Sequence, residues 1–324
     1  MIGCGEHAVA SHGPVQARLA AGQRAIELAG CCDLDGDRAE RYRKHFGFNR
    51  AYTDPMAMTA TETPDAAALA VPVTVTASLA ARLLERGLPL LIEKPPGRTV
   101  DEVDRLVAAA RAGREHPVPH QVAFNRRFAP LVREARRRLA AIGPPEAIQH
   151  LHYEMTRVDR RDPDFSTTAI HGLDAVRFLA GSDYAEARLR YHALPALGPT
   201  VANIFVDAVM ASGATAHLAF CPAAGVAVER ATIHAGSHTL FVRIPMWDAL
   251  DSPGHLEHLE RGALVADLRG EGTDAFVLAG FYAEYEAFLG DLAAGRTPSP
   301  SLLESRQSVQ IAECVRERRE EFRA

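Results

Sequence analysis

The chain has 324 residues and a mass of 35.1 kDa, enough for one large or two medium domains. Hydrophobic residues make up 47% and charged residues 24%, with a formal net charge of −5. This is an ordinary globular balance, and it gives no electrostatic case for nucleic acid or an anionic membrane as partner.

No apolar run approaches the ~20 residues that span a bilayer. The first residues form neither a basic segment nor an apolar h-region, and the cysteine usage points to a reducing cytoplasm. The five cysteines, Cys4, Cys31, Cys32, Cys221 and Cys314, are odd in number, include an adjacent pair and contain no CxxC. That pattern argues against a disulfide framework or structural zinc, and no metal centre is expected. Cys31 and Cys32 read as small buried strand residues.

The first ~115 residues alternate short apolar runs with helical patterns, the signature of βαβ units and a parallel sheet. Ala25 to Cys32 reads as a strand ending at Asp33, and Asp37 to Phe46 as a helix. Ala66 to Val71 reads as a strand stopped by Pro72, Thr76 to Arg86 as a helix stopped by Gly87, and Leu88 to Glu93 as a further strand. Val100 to Ala112 reads as a helix opened by a Thr99–Glu102 capping box.

Composition shifts at Gly113 to Pro119, which divides the chain into a domain over 1–118 and a second over 119–324. Beyond the shift, Arg127 to Ala141 and Phe165 to Ala180 read as helices. Ala147 to Met155, Ala187 to Ala193, Ile204 to Ala211, Thr215 to Cys221, Ala227 to His234 and Thr239 to Ile244 read as strands of a mostly antiparallel sheet. Leu278 to Ala294 and Leu302 to Arg323 read as closing helices.

Gly3-Cys4-Gly5-Glu6-His7-Ala8 matches G-x-G-x-x-[GA]. Glycines here permit a tight turn and bring backbone N–H groups to a pyrophosphate at a helix N-terminus. Asp33 stands where a carboxylate receives the ribose hydroxyls, and it would repel a 2′-phosphate, which points to NAD rather than NADP. Only Met1 and Ile2 precede the glycines, where a first strand needs ~5–6 residues. The natural start is therefore expected upstream.

Of 36 basic residues only two, Lys44 and Lys94, are lysines. Lys94 follows the apolar run Leu88 to Ile92 within Glu93-Lys94-Pro95-Pro96. Lysine gives up a proton when desolvated and arginine does not, so a lysine at the carboxyl end of a buried strand is placed for chemistry.

Taken in order, these features resemble the Gfo/Idh/MocA family of oxidoreductases. The matching residues are the glycine turn with His12, the strand ending at Asp33, Val71-Pro72, Glu93-Lys94-Pro95, Phe124-Asn125-Arg126-Arg127-Phe128 and Ile170-His171-Gly172-Leu173-Asp174. The run from Phe281 through Glu284 and Phe288 to Gly295 and Pro298 also fits.

The resemblance implies an α/β protein: an N-terminal Rossmann domain with a doubly wound parallel sheet, and a C-terminal α/β domain with a large, mostly antiparallel open sheet. It implies NAD(P)-linked oxidation or reduction of a sugar, cyclitol or related polyol, in a homodimer or homotetramer. Gly3, Cys4, Gly5, Glu6, His7, Asp33, Val71, Pro72, Glu93 and Lys94 would hold the cofactor. Lys94 and His171 would act at the reacting oxygen, the first stabilising an alkoxide and the second moving its proton. Asn125, Arg127, Thr167 and Thr168 would face the substrate.

The chain departs from the family pattern at Thr167, where many members carry an aspartate one turn before the histidine. Two alternatives follow: an NAD-retaining enzyme that cleaves glycosides, and a non-catalytic NAD-binding regulatory protein. Arg126 reads as a solvated charge and Asp174 as a brace. His150, His152 and Glu154 read as one wet sheet face, and His255 and His258 as a loop pair.

Overall fold

The computed structural model describes residues 1–22, 26–247 and 249–324. The chain forms two compact units. The first is Met1–Phe124 with Phe281–Arg306, and the second is Asn125–Gly280 with Gln307–Ala324.

In the first unit the strands are β1 (Gly30–Cys32), β2 (Arg50–Tyr52), β3 (Ala67–Leu69), β4 (Leu90–Glu93) and β5 (His120–Ala123). The helices are α1 (Gly13–Ala21), α2 (Gly36–Phe46), α3 (Pro55–Glu62), α4 (Val73–Glu85) and α5 (Val100–Arg111), with Phe281–Ala293 added from far along the chain. Every strand pairing is parallel. Ile2 joins the two halves of the sheet by bridging Cys32 of β1 and Leu69 of β3. Its N–H donates to the Ala68 carbonyl and its own carbonyl accepts from Ala70 N–H, both at 2.8 Å. With Ile2 counted as the first strand position, the order is 3-2-1-4-5-6, the doubly wound dinucleotide-binding arrangement.

Cys31 and Cys32 are buried in β1, as their small size and apolar neighbours require. The strand is shorter than the apolar run from Ala25. Ala25 lies outside the described residues, and Leu28 and Ala29 spend their carbonyls on Asn49 and Arg50 N–H groups, while Met1, Ile2 and Gly3 face Gly30–Cys32 on the other side. Helix α4 starts at Val73 rather than Thr76, because the Pro72 carbonyl takes the first-turn N–H groups of Val75 and Thr76. At α5 the Thr99 hydroxyl accepts from Glu102 N–H at 3.1 Å. The Glu102 carboxylate reaches back to Arg98 N–H at 2.6 Å instead of to Thr99, so the capping box closes one residue upstream.

Among the described residues the second unit contains α6 (Pro130–Ile142), α7 (Ser166–Ala180) and nine strands. The strands are β6 (Ile148–Val158), β7 (Tyr184–Ala193), β8 (Ala202–Met210), β9 (Thr215–Ala224), β10 (Val228–Ala235), β11 (His238–Ile244), β12 (His255–Glu260), β13 (Ala263–Arg269) and β14 (Glu321–Arg323). Their order is β13-β12-β11-β10-β6-β9-β8-β7-β14, antiparallel throughout except between β6 and β9. Helix α7 packs on this sheet through Gly172. A Cβ there would lie 2.7 Å from a Phe220 ring carbon and 2.8 Å from a Tyr153 ring carbon.

Three expected elements are corrected. The arginine-rich helix begins at Pro130, not Arg127; Asn125–Phe128 form a 3₁₀ turn, and proline takes the first helical position, where its missing N–H costs nothing. His255 and His258 lie on β12, not in a loop. The final helix ends at Glu317, and residues 321–323 pair with β7. Among the described residues no helix is long and apolar enough to cross a membrane.

Candidate active site

The parallel sheet carries the predicted cofactor residues to one edge. Gly3 follows Ile2, Asp33 follows β1, Val71 and Pro72 follow β3, and Glu93 closes β4 with Lys94 next. These are the carboxyl ends of the strands, where open α/β sheets bind their ligands.

Gly3 has φ +89°, and a Cβ on it would stand 2.0 Å from the Ala70 carbonyl oxygen, so only glycine fits the turn. The Cys4 N–H donates to Asp33 Oδ2 at 2.9 Å, which ties the turn to the end of β1. Asp33 Oδ1 accepts from Asp35 N–H at 3.0 Å and lies 3.5 Å from the Arg38 guanidinium. Gly5 faces open space, and the helix begins at Glu6 and His7, both exposed. First-turn N–H groups, a glycine without protein above it and a carboxylate at the next strand end together fit a dinucleotide's pyrophosphate and ribose.

A buried polar network lies beside this turn. A π-helical turn over Ala8–His12 runs into α1. It sets His7 and His12, five residues apart, on one face with ring centroids 5.4 Å apart. Both Nε2 atoms lie 3.0 Å from Glu93 Oε1, and the Lys94 N–H donates to Glu93 Oε2 at 3.0 Å. Burial pushes the Glu93 carboxyl up. The two histidines overcome that penalty and hold it well below the usual carboxylate range. Burial keeps His12 below its ordinary value, against the pull of Glu93.

An ionised Glu93 only accepts, so both imidazoles donate from Nε2. Each Nδ1 then accepts a hydroxyl proton, from Tyr285 to His12 at 2.8 Å and from Ser11 to His7 at 3.3 Å. Gln16 extends the chain by donating to the Tyr285 oxygen at 3.2 Å and accepting from the Tyr42 hydroxyl at 3.1 Å. Sequence reasoning did not find this network. A histidine pair at i, i+5 falls on opposite sides of an ordinary helix, and only the π-turn aligns it.

Lys94 itself is half-buried, and the peptide to Pro95 is cis. A cavity of about 1060 Å³ in the first unit is lined by Met1, Gly30, Ala67, Pro89 and Pro119 at the amino ends of the strands. It is therefore not the cofactor crevice.

In the second unit His171 is buried on α7, one turn after Thr167. The Thr167 hydroxyl donates to the Asp164 carbonyl at 3.3 Å, and Thr168 N–H to the Phe165 carbonyl at 3.0 Å. Ser166 does not cap the helix. The Asp164 carboxylate does, accepting from the Ser166 N–H at 3.0 Å and from its hydroxyl at 2.5 Å.

Asn125 is buried. It donates to the Ala279 carbonyl at 2.8 Å and accepts from Arg126 at 3.0 Å. Arg127 makes a two-point ion pair with Asp174, both bonds 2.7 Å, and Ser308 donates to the same carboxylate at 3.0 Å. Asp174 is thus a brace for α7, as its sequence position implied. Arg126 is not solvated: it pairs with Glu229 at 2.8 Å and 3.0 Å, beside Arg157 and the Tyr153 hydroxyl at 3.1 Å. His152 stacks on His217 with centroids 5.5 Å apart on a half-buried sheet face.

Residues 1–120 match the model of the oxidoreductase family GFO_IDH_MocA, described as an NAD-binding Rossmann fold. Inositol 2-dehydrogenase 4 of Saccharopolyspora erythraea is 30% identical over 176 residues, 52% of this chain and 50% of that protein. The scyllo-inositol 2-dehydrogenase (NAD(+)) of Bacillus subtilis is 27% identical over 158 residues, 45% of this chain and 44% of that protein. The chain thus spans about half the length of the curated relatives it matches.

Over 99% of this chain and 96% of the other, the fold resembles an Agrobacterium radiobacter oxidoreductase solved with NAD+, L-tartaric acid and magnesium. The TM-score is 0.81 and the identity 17%. A putative myo-inositol dehydrogenase from Sinorhizobium meliloti gives a TM-score of 0.77 at 19% identity, over 99% of this chain and 98% of that one. Residues 1–120 are thus similar to the Gfo/Idh/MocA oxidoreductases, through the NAD-binding Rossmann fold that the family model describes.

Proposed function

We propose that the protein is an NAD-dependent dehydrogenase acting on a secondary hydroxyl of a cyclitol or related sugar polyol. The observation that carries this reading is the single sheet edge at which the Gly3–Ala8 turn, Asp33 and Glu93-Lys94 converge. The substrate class is supported by the inositol dehydrogenases among the relatives. NAD, when bound, supplies the hydride acceptor. In this reading the N–H groups of the glycine turn hold the pyrophosphate, and Asp33 takes the ribose hydroxyls. The Lys94 ammonium stabilises the alkoxide that develops as the carbinol loses its proton. His171 receives that proton, the task for which an imidazole is suited near neutral pH. Asn125 and Arg127 act by positioning, since Arg127 locks Asp174 and with it the helix that carries His171. A homodimer or homotetramer, in the cytoplasm, is part of the same proposal.

The test is NADH formation with purified protein across a panel headed by myo-inositol and scyllo-inositol. Saturable turnover on a cyclitol or sugar is expected. Tight NAD binding with no turnover on any polyol would contradict the reading and favour a non-catalytic role. Glycoside cleavage without added NAD would instead favour the cofactor-retaining alternative.

The cofactor preference has its own test. In Asp33→Asn the amide oxygen can still accept from Cys4 N–H, but the charge that repels a 2′-phosphate is gone. The ratio of NADP to NAD affinity should rise on the order of tenfold, about 1.4 kcal/mol, read by titration of each cofactor. An unchanged ratio would remove Asp33 from ribose recognition.

A further inference from the structure

Among the described residues, His7, His12 and Glu93 form the group of three such side chains whose ligand atoms all lie within 4.8 Å of one another. We propose that this triad is a binding site for a divalent transition-metal ion of the zinc class, clamping the first helix to the end of β4.

The donor set is two imidazole nitrogens and one carboxylate oxygen, which matches the chemistry of zinc. Each nitrogen lies 3.0 Å from the Glu93 oxygen. Ligands held at 2.0–2.1 Å in a tetrahedron stand about 3.3 Å apart, so the two nitrogen–oxygen spacings already suit an ion, and the two nitrogens, within 4.8 Å of each other, need only draw together. Glu93 and His12 are buried, whereas the His7 side chain is 46% exposed, which gives the ion a way in and leaves a fourth position toward solvent.

Ligating histidines also need a partner on the other ring nitrogen to fix their orientation. Both have one: Tyr285 on His12 Nδ1 at 2.8 Å and Ser11 on His7 Nδ1 at 3.3 Å. These are hydroxyls, which accept as readily as they donate. On metal entry each imidazole exchanges its Nε2 proton for one on Nδ1, and each Nδ1–H then donates to the same hydroxyl oxygen. The triad keeps its protons, no oxidation or reduction occurs, and the ionised Glu93 offsets one of the two positive charges. This site does not depend on the proposed activity.

The experiment is a Co2+ titration of the whole protein, following the visible d–d absorption that distinguishes tetrahedral from octahedral cobalt, with Zn2+ as competitor. A tetrahedral band saturating at one equivalent is expected, together with its loss on Zn2+ addition and a rise in melting temperature with Zn2+. His7→Gln retains a donor toward Glu93 but has no imidazole. It should weaken cobalt binding at least tenfold while leaving the far-ultraviolet circular dichroism unchanged. Absence of a saturable tetrahedral band would overturn the proposal. So would a band of the same intensity and affinity in His7→Gln, because the other histidines of the chain would then be the ligands.

Discussion

Lys94→Ala and Lys94→Arg are both expected to lose roughly 10²–10³-fold in kcat, the range seen when one preorganised charge donor is removed from a developing oxyanion. NAD affinity should stay within several-fold of wild type, because the Lys94 N–H that holds Glu93 belongs to the backbone and survives both substitutions. The arginine variant carries the sharper information. It keeps the positive charge, but its guanidinium is broader and does not deprotonate near neutral pH. Steady-state kinetics with saturating NAD would separate the cases. Loss in both variants supports a compact ammonium at the reacting oxygen, whereas wild-type turnover in Lys94→Arg would rule out a requirement for that ammonium.

Glu229→Ala is expected to destabilise the second unit by about 3–5 kcal/mol, the usual cost of breaking a buried ion pair by removing one partner. Its carboxylate is buried and serves Arg126, Arg157 and the Tyr153 hydroxyl together. Removing it leaves two guanidinium groups with little water, and the melting temperature should fall by roughly 10 °C. Replacing Arg126, Arg157 and Glu229 together with methionine or leucine should recover much of that loss, since all three charges of the cluster are then gone. Burial pushes the Glu229 carboxyl up, but the two arginines bring it down to about 2, below its ordinary 4.5. A depressed carboxylate contributes stability that is complete above its unfolded value and is lost as pH falls toward the folded one. Denaturant unfolding of the wild type should therefore weaken between about pH 4.5 and 2, and Glu229→Ala should be less sensitive to pH in that window. Equal stability of Glu229→Ala and wild type at neutral pH would contradict this account of the network.

The parts of the fold legible in sequence are those set by neighbours along the chain. The glycine turn, the end of β1 at Asp33 and the Glu93-Lys94 step each follow from a few consecutive residues, and the sheet brings them to one edge. Arg126 was illegible because its partner Glu229 lies 103 residues away. Strand β12 was hidden by its own pattern: Leu256 and Leu259 recur at an interval of three, which does not alternate. The register shift between His258 and Leu259 absorbs the extra residue. The His7–His12 pair was hidden by the π-turn, which changes the spacing that shares a helix face. Pro130 was a readable stop that the arginine run after it obscured.

Hydride transfer itself is measured most directly by isotope. A cyclitol deuterated at the carbon that bears the reacting hydroxyl would be incubated with the protein and NAD, and the reduced nicotinamide examined by mass spectrometry. The proposed dehydrogenase predicts NADH carrying one deuterium, formed in proportion to the ketone product. Unlabelled NADH, or bound NAD that stays oxidised with every cyclitol and sugar supplied, would contradict it.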